Sequence, residues 1–281
     1  MANIIGIDIG GSTTKITGFN NGIIYSPMLV KATDPIASVY GAFGKFLNAN
    51  GLAISDIDKI MITGVGSSYI TENLYGVSTG KVDEFRAIGM GGLFLSNLSK
   101  AIVVSMGTGT AFVFADHNNV THIGGTGVGG GTLLGLSSIM LNIRDFDNLI
   151  KTADAGSLAN IDLTIGDISQ ENVGVLPPET TASNFGKISD LATHSDMALG
   201  IINLVFQTIG MLSIFATKIH NIKDIVLTGN LVNVPQSHRI FKELEKLFGV
   251  KFHIPRNAEY ATSVGAAMSY IKGMGYTDIK K

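Results

Sequence analysis

The sequence predicts an α/β protein of two lobes, residues 1–99 and 100–281, that uses one element order twice. Three observations carry this. A meander of three strands opens the chain and leads into helix–strand–helix, and a second meander starts near residue 101. In each half a glycine-rich turn follows the first strand, at Gly10-Gly-Ser-Thr13 and at Gly107-Thr-Gly-Thr110. No low-complexity tract, charge block or Ser/Gly linker divides the chain, so the lobes are expected to share an interface with a cleft between them.

Asn3–Ile9, Thr14–Phe19 and Gly22–Leu29 are rich in isoleucine or β-branched residues and read as strands, with Asn21-Gly22 a hairpin signal. A helix is expected from about Pro35 to Asn50, then a buried strand Lys59–Thr63 and helices near Tyr69–Leu74 and Val82–Leu98. The second meander comprises Ala101–Ser105, Thr110–Ala115 and Val120–Ile123, and helices follow near Leu133–Asn142 and Phe146–Ala155. Pro177-Pro178 marks an irregular stretch from about Ile165 to Thr181, read as a long surface loop placed to cover a site. A long helix near Met197–His220, the strand Asp224–Thr228, a helix near Gln236–Phe248, a short strand Val250–Ile254 and a closing helix Tyr260–Met274 complete the order.

With 281 residues, 45% of them hydrophobic, the chain can bury a sizeable core. Twenty basic against 22 acidic residues leave a formal charge of −2, which disfavours nucleic acid as a partner. The chain has no cysteine, which excludes disulfides, thiolate zinc sites, iron–sulfur clusters and cysteine nucleophiles, and fits a cytoplasmic setting. The N-terminus reads as a strand rather than a secretion signal. The most lipid-like run, Gly200–Ala216, is interrupted by Asn203, Gln207 and two glycines. It falls short of the ~20 apolar residues of a bilayer span, so a buried or subunit-interface helix is expected and no membrane partner.

The chemistry is concentrated in the glycine turns. Glycine lets backbone N–H groups approach an anion with no side chain between them. The block Gly124-Gly-Thr-Gly-Val-Gly-Gly-Gly-Thr132 also runs into an apolar helical stretch, whose first-turn N–H groups favour phosphate. Asp8-Ile-Gly-Gly-Ser-Thr-Thr-Lys15 supplies the parts of a phosphoryl-transfer site: a carboxylate for hydrated magnesium, amides and hydroxyls for phosphates, and a lysine for developing charge. Neither a P-loop motif nor a dinucleotide fingerprint opening a βαβ unit is present.

The paired loops, with Val226-Leu-Thr-Gly-Asn230 as an adenosine-side strand and turn, resemble the actin-like ATPase superfamily. Within it, Val104-Ser-Met-Gly-Thr-Gly-Thr110, the glycine block through Leu136, Asn160-Ile-Asp-Leu163 and Thr181-Ala-Ser-Asn-Phe-Gly186 are similar in order to the type II pantothenate kinases. The resemblance implies a duplicated actin-like, ribonuclease H-like fold with an ATP cleft between two lobes. It implies magnesium- and ATP-dependent phosphorylation of the primary hydroxyl of pantothenate, the committed step toward coenzyme A, by a homodimer. Carried over by motif, Asp8 would be catalytic, organising magnesium and the attacking geometry, and Gly10, Gly11, Ser12, Thr13 and Lys15 would hold the β- and γ-phosphates. Thr108 would sit at the second loop, with Gly129, Gly130, Gly131 and Thr132 along the nucleotide and Phe146 and Asn230 bordering it. The same resemblance puts Thr110 and Thr181 on the acceptor side.

The family's catalytic base lies in a Glu-Phe or Glu-Leu step at the head of a helix. Val82-Asp-Glu-Phe85 matches it, which gives that role to Glu84 and leaves Asp83 as the capping charge. One departure stands out. Where the family usually carries an arginine contacting pantothenate, this chain has Thr121-His122-Ile123, and histidine lacks both a permanent charge and forked donors. Two readings follow: pantothenate held differently, with Arg144 nearby, or another acceptor such as pantetheine, a sugar or an amino sugar. A third reading, an ATP-dependent switch without an acceptor, requires only the nucleotide site. The dehydratase activators of the superfamily hold their cluster with cysteine and are excluded.

Overall fold

The computed structural model describes residues 2–31, 34–169, 174 and 176–279. Strands β1 (Asn3–Ile9), β2 (Thr13–Asn20) and β3 (Ile23–Lys31) form an antiparallel meander. Asn21 and Gly22 turn its second corner at φ of 52° and 77°, the left-handed pair that a tight hairpin needs. Helix α1 (Pro35–Asn50) follows the expected bounds because both ends are specified: the Asp34 carboxylate accepts from the Ala37 N–H at 2.6 Å, and Gly51 closes it at φ 61°. Strands β4 (Lys59–Thr63) and β5 (Thr79–Val82) lie parallel to β1. The helix expected at Tyr69–Leu74 is instead two 3-10 turns, Val65–Tyr69 and Leu74–Gly76. Val82 ends β5, and α2 (Glu84–Ser96) starts two residues later, capped by Asp83 accepting from the Arg86 N–H at 3.0 Å.

The second meander is β6 (Lys100–Met106), β7 (Thr110–Asp116) and β8 (Val120–Thr126), followed by α3 (Gly130–Leu141) and α4 (Phe146–Ala153). In the stretch read as a loop, β9 (Leu163–Thr164) and β10 (Thr181–Ser183) pair around a short α5 (Ile165–Ile168). Residues 170–173 and 175, and with them the covering role expected there, lie outside the described residues. The chain then forms α6 (His194–His220), β11 (Asp224–Thr228), α7 (Pro235–Phe248), β12 (Lys251–His253), α8 (Ala261–Ile271) and β13 (Tyr276–Asp278).

Among the described strands, one sheet has the order β13-β5-β4-β1-β2-β3 and the other β12-β11-β6-β7-β8. With β13 set aside, order and direction coincide, so the duplication read from the sequence is a duplication of topology. The C-terminus departs from the expected assignment of 100–281 to the second lobe. α8 packs on β1, β2 and β4, and β13 adds to the edge of β5. Two features hold it there. Gly6 opens a slot in β1 where an ideal Cβ would come within 2.0 Å of Ser263 O, and the buried Lys59 ammonium pairs with Asp278 between the rings of Tyr270 and Tyr276.

The layers run α1, first sheet, α8, α2, second sheet, α6. Ile5, Ile7 and Ile9 of β1 pack with Val39, Phe43 and Phe46 of α1 on one face, while Ile4 of β1 packs with Val264 and Ala267 of α8 on the other. Being buried on both faces, β1 needs apolar residues at nearly every position. The helices α2 and α8 meet backbone to backbone: an ideal Cβ at Gly91 would lie 1.8 Å from Ala261 O, and one at Gly265 1.8 Å from Ala87 O. Beyond the second sheet, α6 is long and apolar enough to cross a membrane by length and composition, yet 67% of that apolar window is buried inside the protein. Its start is fixed by Asp196, whose carboxylate accepts from the N–H groups of Ser157 and Thr193 and is held down to about pKa 2 by them. Leu212, Phe215 and Ile219 leave an exposed apolar stripe along its C-terminal half.

Candidate active site

Asp8 and Lys15 are directly opposed across β1 and β2, a pairing set by the tight turn in which Gly10 N–H donates to Thr13 O at 3.0 Å. Both point away from α1, toward α8, because they share the parity of Gly6 and Thr17, which meet Ser263 of α8. Burial raises the Asp8 carboxyl, partly opposed by Lys15. Burial likewise lowers the Lys15 ammonium, opposed by Asp8, Glu259 and Glu84. Lys15 is 7% exposed and takes part in none of the ion pairs among the described residues. It is therefore a buried cation without an ion-pair partner among the described residues, which suits it to an incoming anion.

Glu84 opens α2 on the other side of this pair. Its carboxyl is raised first by burial and then by Asp8 and Asp83, against a lowering by Lys15. A carboxylate so destabilised is a better proton acceptor at neutral pH than an exposed one. The next residue, Phe85, stacks on His122 with ring centroids 3.7 Å apart and planes 13° apart. A bulge in β8, where Val113 pairs with His122 while Phe112 pairs with Gly124, sets the register there. The expected acceptor-side histidine is thus held one residue from the expected base.

The second glycine loop is built against α3. Gly107 N–H donates to Gly109 O, and the N–H groups of Gly130 and Gly131 donate to Gly107 O and Thr108 O, each at 2.9 Å. An ideal Cβ at Gly129 would lie 2.6 Å from Thr108 O, so this approach is open to glycine alone. Asn230 begins a 3-10 turn after β11, and its neighbour Leu231 reaches the Cβ position of Gly130 at 3.5 Å. The loop, the head of α3 and the Asn230 turn therefore border one space. Phe146 begins α4 and packs at the edge of the same lobe's core.

Three expected hydroxyls also make hydrogen bonds within the protein. Thr110 Oγ1 donates to Val128 O at 2.8 Å, and Thr132 Oγ1 donates to Gly127 O while accepting from the Gly129 N–H, so both brace the glycine block. Thr181 Oγ1 accepts from Gln207 of α6 at 3.2 Å and joins a polar network in which Asn203 donates to the buried Asp162 at 2.7 Å. Arg144 is exposed in the turn before α4.

Sequence reasoning did not single out Thr63, Gly64 or Glu259. Thr63 stands beside Asp8 in the parallel register, fully buried, with no partner for its hydroxyl among the described residues. Gly64 follows at φ 87°, and an ideal Cβ there would lie 2.6 Å from Asp8 Oδ1. The corresponding strand of the second sheet ends in the same way, with Gly229 at φ 88° against Met106 O. A repeated Thr-Gly step, Thr63-Gly64 and Thr228-Gly229, was the available signal.

Comparison with known proteins gives the relatives. Residues 4–268 match the Fumble family. A type II pantothenate kinase of Bacillus cereus is 32% identical over 257 residues, covering 85% of this chain and 89% of that protein. One from Staphylococcus haemolyticus is 28% identical over 274 residues, 93% of this chain and 98% of that protein. Among solved structures, the activator of 2-hydroxyisocaproyl-CoA dehydratase from Clostridium difficile with bound ADPNP superimposes with TM-score 0.70 at 16% identity, covering 96% of this chain and 95% of that one. A ROK hexokinase from Thermus thermophilus gives 0.58 at 13%, covering 96% and 99%. At such identities these two carry the fold, a duplicated actin-like fold. The chain belongs to the Fumble family, that of the type II pantothenate kinases.

Proposed function

We propose that the protein phosphorylates the primary hydroxyl of pantothenate with ATP, giving 4'-phosphopantothenate, the first step of coenzyme A biosynthesis. The observation that supports this is the charge coupling of Lys15 with Asp8, its cross-strand neighbour at the first glycine loop, and with Glu84, in a chain of this family. Glu84 takes the proton of the acceptor hydroxyl as its oxygen bonds the γ-phosphorus, and the bond from that phosphorus to the β–γ bridging oxygen breaks to leave ADP. Lys15 and the amides of Gly10–Thr13 hold the β- and γ-phosphates, and Thr108 faces them from the second loop. Gly129, Gly130 and Gly131, with Phe146 and Asn230, border the nucleoside.

Magnesium fits this donor set. The ion keeps several waters and takes one or two carboxylates beside phosphate oxygens. Asp8 is such a carboxylate, and among the described residues no group of three His, Cys, Asp or Glu forms a closed protein cage. Bound there, the ion would neutralise charge on the phosphates. Residues 1–99 with 261–278 form one lobe of this reading and 100–260 the other, closing on the acceptor to exclude water. His122, fixed on Phe85, donates a hydrogen bond to the acceptor. The exposed stripe of Leu212, Phe215 and Ile219 on α6 pairs two copies into a homodimer, and the enzyme works in the cytoplasm.

The absence of a fixed cation at His122 favours a second reading with an uncharged acceptor such as pantetheine or a sugar. Coupled ADP release with Mg-ATP and pantothenate, pantetheine or no acceptor separates the cases. Release stimulated by pantothenate, with a product of phosphopantothenate mass, is expected. Stimulation by pantetheine alone would transfer the assignment to that acceptor, and slow hydrolysis indifferent to both would make the protein an ATP switch. Light scattering on the same sample is expected to give twice the 29.6 kDa chain mass, and the chain mass itself would refute the α6 pairing.

A further inference from the structure

We propose that Glu259 makes nucleotide binding conditional on a divalent cation, its carboxylate keeping the phosphate end of the cleft net negative so that the metal–nucleotide complex enters and the metal-free polyanion is repelled. The inference rests on the reading that the cleft binds ATP.

Placement comes from the docking of α8. Ser263 Oγ and Thr17 Oγ1 share a buried hydrogen bond of 2.6 Å, and Ser263 O lies under Gly6. Residue 259 precedes α8, in the 3-10 turn Ala258–Tyr260, and Lys15 lies two residues before Thr17 on the same face of β2. The charge of Glu259 acts on Lys15. The 3-10 turn Ala258–Tyr260 that carries it packs on β2, the strand of Lys15, on the end of β11 and on the Asn230 turn.

Structure gives Glu259 no other employment. Among the described residues its carboxylate accepts no hydrogen bond and forms no ion pair, and Asn257 rather than Glu259 precedes the turn it belongs to. The charge it acts on is Lys15, 93% removed from solvent, without an ion pair among the described residues, and subject also to Asp8 from β1 and Glu84 from α2. Three carboxylates act on one ammonium. When all are ionised the cleft lacks positive charge, and a triphosphate without a counter-ion adds to the deficit. A divalent ion at Asp8 reverses that balance. Asp8 and Glu84 have their own chemical roles, so Glu259 is the carboxylate whose contribution is electrostatic alone.

The test is calorimetric affinity for a non-hydrolysable ATP analogue, in magnesium and in EDTA, for the parent, Glu259→Gln and Glu259→Asp, with adenosine as the phosphate-free probe. In the parent, magnesium strengthens binding. In Glu259→Gln the affinity in EDTA is expected to rise about tenfold, the effect of one unit charge in a partly desolvated site, and the magnesium-to-EDTA ratio to shrink correspondingly. Glu259→Asp keeps the parental ratio, and adenosine binds all three alike. An unchanged ratio in Glu259→Gln, or an adenosine affinity that shifts together with the analogue, would overturn the proposal while leaving the kinase reading intact. A parent that binds no nucleotide in either buffer would bring down both.

Discussion

Glu84→Gln is expected to lower kcat by about 10³, within the 10²–10⁴ typical of a lost general base, while the Kd for Mg-ATP stays within a factor of about two. The substitution is close to isosteric, and the helix does not depend on the lost charge. Asp83 caps α2 through the Arg86 N–H, and no hydrogen bond among the described residues uses the Glu84 carboxylate. What changes is proton acceptance. An amide cannot take the acceptor's proton, so the attacking oxygen stays a neutral alcohol through most of the barrier. Steady-state kinetics with nucleotide titration reads both quantities. An unchanged kcat would remove Glu84 from the chemistry, and a parallel loss of nucleotide affinity would recast it as a binding group.

Gly265→Ala is expected to cost about 3 kcal/mol or more and to lower Tm by about 10 °C. The new methyl would lie 1.8 Å from Ala87 O, 2.7 Å from Ala87 C and 2.7 Å from Gly91 N. All three are backbone atoms of α2, so no side chain can turn aside, and α2 and α8 have to separate. Separation reaches both sheets, because α8 lies on β1 and β4 while Gly89 and Gly92 of α2 fit against Val120 and Val103. Gly44→Ala in α1 is the control. Nothing lies within 4 Å of its Cβ position, and helix propensity favours alanine by up to about 1 kcal/mol. Thermal melts in which the two variants behave alike would show that the contact of α2 with α8 yields at little cost.

Much of the fold was legible because long apolar strands and capped helices declare themselves locally. Asn3–Ile9, Lys59–Thr63 and Asp224–Thr228 stand where their isoleucine and valine runs put them, and α1 is bounded by Asp34-Pro35 and Gly51. Elements that are short and polar were not. β5 reads Thr-Gly-Lys-Val and β13 Tyr-Thr-Asp, and both owe their existence to a neighbour rather than to their own pattern. In the candidate site, Asp8 and Lys15 were legible as the two ends of one tight turn. Glu84 depended on family resemblance, since an acid beside a helix start reads equally well as a cap. Glu259 had no local signal at all, because only the docking of α8 on β2 brings it to Lys15.

The return of the last helix and strand to the first sheet also orders events on the ribosome. β1 precedes the other strands, but Ile4, Phe19 and Met61 on its sheet are covered by Val264, Ala267 and Met268, which emerge about 200–260 residues later. At about 5–20 residues per second that is a delay of roughly 10–50 s. Meanwhile β6, β7 and β8 pair with one another as soon as they appear, and α6 and β11 follow to cover them. The lobe encoded second is therefore the one able to close first, and the first sheet waits half open for α8.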